Sequence, residues 1–76
     1  MAIDTDRIDD CVLALLLLGR HDGQRAWKSF DWDAMDRLHK KGWISHPVGR
    51  AKSVVLTNEG LERAERLFKV LFAKKS

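Results

Sequence analysis

Cysteine occurs once in this 76-residue chain, at Cys11, and proline once, at Pro47. A lone thiol excludes an intramolecular disulfide, and its place in an apolar run predicts a buried, reduced side chain in a cytoplasmic protein. Long apolar runs are equally scarce. The longest, Cys11 to Leu18, has eight residues, against the roughly 20 of a membrane-spanning helix. It follows Asp4, Asp6, Asp9 and Asp10 rather than a cationic stretch, so neither a signal peptide nor a membrane anchor is expected. Low-complexity tracts, internal repeats and a Gly-rich phosphate loop are missing as well, which points to one ordered domain over residues 1–76.

Catalytic and metal-binding patterns are also lacking. His21, His39 and His46 do not have the short spacing of a zinc site. Asp31, Asp33 and Asp36 resemble the opening of a calcium loop without its glycine or its terminal glutamate. Ser29, Ser45 and Ser53 have no evident activating base. No catalytic residue, cofactor or metal is therefore expected, and no enzymatic activity.

What the chain has in quantity is charge, unevenly placed. Residues 1–36 hold four Lys/Arg and eight Asp, net −4, whereas residues 37–76 hold ten Lys/Arg and three Glu, net +7. A basic half can meet phosphates, and a polarised molecule can equally steer self-association.

The periodicities predict an α+β domain. Asp4 or Thr5 caps a first helix that runs to about Leu18 and ends at Gly19. Its stripe Ile8, Val12, Leu15 and Leu16 is extended around most of the circumference by Leu13, Ala14, Leu17 and Leu18. Asp22-Gly23 makes a turn, and Arg25 to Phe30 suits a short strand. Asp31 caps a second helix, Trp32 to Lys41, which buries Ala34, Met35 and Leu38 and stops at Gly42. Ile44 to Pro47 and Ser53 to Leu56 read as two strands around a basic turn, Val48 to Lys52. Thr57 then caps a last helix, about Asn58 to Lys74, with Leu61, Ala64, Leu67, Phe68, Leu71 and Phe72 on its apolar face. Trp27, Phe30, Trp32 and Trp43 could stack nucleobases, but in so small a protein the core is the stronger reading.

This order, three main helices with a two- or three-stranded antiparallel sheet, is winged-helix-like in its second half. One element of a helix-turn-helix is missing, because only about eleven residues separate Gly19 from Asp31 and they carry a turn and a strand-like run.

Trp27 to Asp33, Leu38 to Ser45 and Pro47 to Thr57 together resemble a family of small bacterial proteins described only as a domain of unknown function. That resemblance covers nearly the whole chain and implies a bacterial single-domain protein without implying an activity. More loosely, Leu38 to Gly60 resembles winged-helix transcription regulators of the multiple-antibiotic-resistance type. There a Lys-Gly-Leu/Ile helix exit and an "LT..G" helix start bracket the wing.

Two functions follow as expectations. In the first, the protein is a DNA-binding or transcription-associated module. Arg37, Lys40 and Lys41 contact DNA from the second helix, and Arg50 and Lys52 from the wing. Against it stand Asp31, Asp33 and Asp36 in the first turns of the same helix, where phosphates would lie. In the second, the winged architecture serves a homodimer or a protein partner. Leu67, Val70, Leu71 and Phe72 form the dimer surface, because two such apolar helices exceed what one small core readily hides.

Overall fold

A computed structural model describes residues 2–27, 31–46 and 53–74. Helix α1, Thr5–Leu16, passes through a 3₁₀ turn at Leu17–Gly19 into a hairpin of β1, Arg20–Asp22, and β2, Arg25–Trp27. Helix α2, Trp32–Lys40, strand β3, Ser53–Val55, and helix α3, Asn58–Phe72, complete the chain. The three strands form one antiparallel sheet in the order β1-β2-β3. The expected α+β class, with three main helices and a short antiparallel sheet, is what the chain adopts.

Each helix start has its expected cap. Asp4 accepts a hydrogen bond from Arg7 N, Asp31 from Ala34 N, and Thr57 from Gly60 N, relieving backbone donors that have no partner inside the helix. The interval between Gly19 and Asp31 holds the β1–β2 hairpin, turning at Gly23 with φ +59°, where a helix-turn-helix would place its first helix.

The exit of α2 explains the string Lys41-Gly42-Trp43. Gly42 has φ +81°; its N–H reaches His39 O and that of Trp43 reaches Leu38 O, the paired bonds of a Schellman ending. The chain then meets the start of α3. Thr57 Oγ1 donates to Gly42 O at 2.8 Å, and Thr57 N to Trp43 O at 3.0 Å. Gly60 presses so closely on Trp43 that a Cβ there would stand 1.9 Å from the Trp43 carbonyl oxygen. The Leu-Thr-Asn-Glu-Gly motif is thus a joint: threonine ties two turns together, and glycine makes room for the backbone beneath it.

Of the two expected strands around the basic turn, Ser53–Val55 pairs with β2 in the register Trp27↔Ser53, Ala26↔Val54, Arg25↔Val55. The other contributes a single bridge, Ile44↔Leu56, reinforced by Ser45 N donating to Val55 O at 2.7 Å. The expected turn itself, Val48 to Lys52, lies outside the described residues, as does Pro47 at the end of the expected strand.

The core joins Leu13 and Leu16 of α1, Met35 and Leu38 of α2, and Ile44, Val54 and Leu56 around the sheet, with Ala64 from α3. Several expectations need correcting. Helix α1 stops at Leu16, and Ile8 lies at the surface while Asp9 occupies the buried stripe with Leu13 and Leu16. Cys11 is half-buried rather than sequestered. Trp32 is 64% exposed, since it sits at the first position of α2, before the helix reaches the core. Trp43 alone of the described tryptophan side chains packs on the core; Phe30 lies outside the described residues.

Candidate functional site

The expected DNA-contacting cations have different fates. Arg37 and Lys41 are one helical turn apart and both reach Asp9, whose side chain is fully buried. Arg37 Nε lies 2.9 Å from each Asp9 carboxylate oxygen, and its Nη2 lies 2.8 Å from Oδ1. Lys41 Nζ stands 3.0 Å from Asp9 Oδ2 and 3.0 Å from Asp6 Oδ1. Lys40 points outward and pairs with Asp36 on its own helix at 3.0 Å. Arg50 and Lys52 lie outside the described residues.

Burial by itself would raise the Asp9 carboxyl. Hydrogen bonds from Arg37 and Lys41, with the nearness of both charges, outweigh it and hold the group below the ordinary aspartate value. The hydrogen bond to Asp9 raises Arg37. Burial would lower the Lys41 ammonium, but its bonds to Asp9 and Asp6 prevail and raise it. All three groups are therefore charged over the whole neutral range.

This hub continues across the molecule. Arg63 of α3 bonds Asp10 of α1 at 3.2 Å and stacks on the Trp43 ring, 4.4 Å from its centroid. Lys41 Nζ lies 5.2 Å from the same centroid. The aromatic ring and three aspartates of α1 thus tie all three helices together. In sequence these aspartates read only as an acidic stretch at the start of a helix, and the hub is not legible from that. A signal was present: Asp9, Leu13 and Leu16 follow i, i+4, i+7, so a carboxylate shares the apolar stripe and requires a buried cation.

The expected dimer surface lies at the far end of α3. Leu67 is half-buried against the core, whereas Val70, Leu71 and Phe72 are 80%, 44% and 43% exposed. Phe68 and Phe72 meet edge to face with centroids 5.2 Å apart. Leu67 and Leu71 line a groove of about 430 Å³ together with Arg7, Asp10 and Cys11 of α1. It is apolar along its floor and carries one charge of each sign on the α1 side.

The family model for a domain of unknown function, DUF6429, matches residues 4–74. The chain belongs to that family. The chain is also similar to the uncharacterized protein y4hR of Sinorhizobium fredii (strain NBRC 101917 / NGR234), 57% identical over 74 residues that span 97% of this chain and all of that protein. No solved structure matches. The match to DUF6429 takes in the whole hub, from Asp6 to Arg63, and both faces of the groove. Among the described residues, no helix is long and apolar enough to cross a membrane.

Proposed function

We propose that this DUF6429 protein is a non-enzymatic association module that works in the cytoplasm through protein contacts, with α2 serving as an internal strut. The observation that supports this most directly is the engagement of Arg37 and Lys41 by Asp9. With those two cations turned inward, the exposed surface of α2 carries Asp31, Asp33 and Asp36 against Lys40. Such a face gains no counterion release from a phosphate backbone and repels it. The exposed apolar end of α3 supports protein contact, because surface of that kind is stabilised by being covered.

A second reading keeps duplex contact through Arg50 and Lys52. What favours it is the winged-helix-like order, with the segment carrying both cations joined directly to β3. Anisotropy of a labelled mixed-sequence duplex, titrated with protein at low and moderate salt, separates the two. The association reading expects no binding in the roughly 10⁻⁴–10⁻⁶ M range of non-specific contacts. Binding in that range, falling steeply with salt and abolished by Arg50→Glu with Lys52→Glu, would establish the duplex reading instead.

A further inference from the structure

His39 and His46 form no metal motif in sequence, where they lie seven residues apart. The exit of α2 brings them together: their ring centroids stand 4.6 Å apart, with the ring planes at 64°. His39 is half-buried in the last turn of α2, and His46 is exposed two residues past Ile44, whose bridge to Leu56 anchors that segment. His39 Nδ1 lies 3.3 Å from Ile44 O. A carbonyl oxygen only accepts, so Nδ1 carries the hydrogen in this bond and the ring's lone pair is left on Nε2. That is the arrangement of a metal-ligating histidine, whose other nitrogen donates to a backbone carbonyl or a carboxylate. The surrounding charge also suits a cation. Asp36 lies one turn before His39 on α2; the hydrogen bond from Lys40 holds its carboxyl below the ordinary aspartate value, and the nearness of Lys40, His39 and His46 adds to this. Lys40 is bonded to Asp36 at 3.0 Å, and Arg37 and Lys41 are committed to Asp9, so each of these three cations already has a carboxylate. The negative end of the α2 dipole falls at the same place.

We propose that His39 and His46 together bind a late first-row divalent ion: copper(II), nickel(II) or zinc(II). Two imidazoles that share one such ion through bonds of about 2.0–2.1 Å, at an angle of roughly 90–110°, hold their ring centres about 4.5–5.2 Å apart. The 4.6 Å between these rings falls within that span, so little movement is needed to close on the metal. Imidazole suits these ions, whereas magnesium and calcium take oxygen. Among the described residues no group of three or more His, Cys, Asp or Glu is placed to hold a metal, so water completes the coordination shell. A structural zinc site is closed by four protein ligands; a site with two holds its ion exchangeably. The bound ion ties the last turn of α2 to the segment bridged at Leu56. This site goes beyond the association reading and stands apart from it, since neither histidine belongs to the hub or lines the groove.

Isothermal titration of the tag-free full chain with nickel(II), zinc(II) and magnesium(II) chloride tests this, alongside His39→Ala, His46→Ala, His21→Ala and Cys11→Ser. The wild type is expected to take up about one equivalent of nickel or zinc, with saturable binding below about 1 mM, and no magnesium. His39→Ala and His46→Ala should each weaken nickel binding roughly tenfold or more, while His21→Ala and Cys11→Ser stay within about threefold of wild type. Because the ion binds only where the fold holds the two rings together, saturating nickel should raise the thermal midpoint of the wild type and leave that of His46→Ala unmoved. If His39→Ala loses helical circular dichroism, His46→Ala, at an exposed position, decides the matter alone. Absence of saturable nickel binding up to about 1 mM would overturn the site. So would nickel binding that survives His46→Ala, or that is lost in His21→Ala or Cys11→Ser. None of these results bears on the association reading, which the duplex titration tests by itself.

Discussion

Replacing Asp9 with asparagine keeps the shape of the side chain and removes its charge. Arg37 Nε and Nη2 and Lys41 Nζ all converge on the two carboxylate oxygens within 3.0 Å. Asparagine offers one acceptor and turns an NH₂ group towards a cation. Breaking a buried ion pair by removing one partner costs about 3–5 kcal/mol when the survivor is left buried. Here Arg37 and Lys41 are 31% and 28% exposed and can swing part-way into water, which brings the expected loss to roughly 2–4 kcal/mol. A domain of this length has only about 4–11 kcal/mol in total, so the midpoint should fall by roughly 10–25 °C. Urea denaturation followed by circular dichroism measures the loss directly, with m unchanged if only the folded state is affected. The pH dependence is an independent check. Because the folded Asp9 value is depressed, its contribution is complete above the unfolded value of about 3.9 and disappears as pH falls through the lower folded one. Lys41 is raised, so its contribution is complete below about 10.4 and disappears as pH rises through the higher folded value. Asp9→Asn should flatten the acid limb. A loss below about 0.5 kcal/mol, the size of an ordinary surface change, with an acid limb like that of the wild type, would refute the hub.

Gly60→Ala, normally favourable inside a helix, should cost roughly 2–3 kcal/mol, because its Cβ collides with the Trp43 carbonyl and backbone must move; a thermal midpoint at or above wild type would sink the close-packed joint. Thr57→Ala removes the cap on Gly60 N and the bond to Gly42 O and should cost about 1–2 kcal/mol in the same melt, with Thr57→Ser retaining most of it. Trp32→Ala should change stability by less than about 0.5 kcal/mol, while Trp43→Ala, losing the core contact and both cation stacks, should cost about 2–4 kcal/mol; the opposite order in urea unfolding would contradict the placement of the two rings. Replacing Asp9, Arg37 and Lys41 together by leucine should restore much of the stability lost in Asp9→Asn yet broaden the amide spectrum in two-dimensional NMR, and sharp, fully dispersed peaks would show that the ion pairs do not select the packing.

Local chemistry made the elements legible. Caps at Asp4, Asp31 and Thr57, the stop at Gly42 and the turn at Gly23 are set by groups a few residues apart, and the chain uses them where their spacing indicates. The placement of α1 was not legible in the same way. Its residues are apolar around most of the circumference, so the pattern left several faces equally able to be buried, and Ile8 was assigned inward where Asp9 lies. Cys11 followed the same error onto the wrong side. The long-range partners of Asp9 are Arg37 and Lys41, 28 and 32 residues away, and no local rule pairs them. Trp32 was misjudged because aromatic residues were assigned to the core as a group, whereas its position at the start of α2 places it beyond the packed turns.

The rotation of α1 accounts for both the hub and the groove beside α3. A helix apolar nearly all round buries similar area in several rotations, so hydrophobic burial alone fixes its position poorly. Only one rotation brings Asp9 to Arg37 and Lys41, and any other strands a carboxylate among Leu13 and Leu16 without a cation. That rotation also turns Ile8 outward and leaves Cys11 half-exposed beside Leu67 and Leu71. The ion pairs that orient α1 therefore produce the groove along α3. The inward commitment of the α2 cations and the outward apolar surface are two results of the same packing choice, and both weigh towards a protein partner over a phosphate backbone.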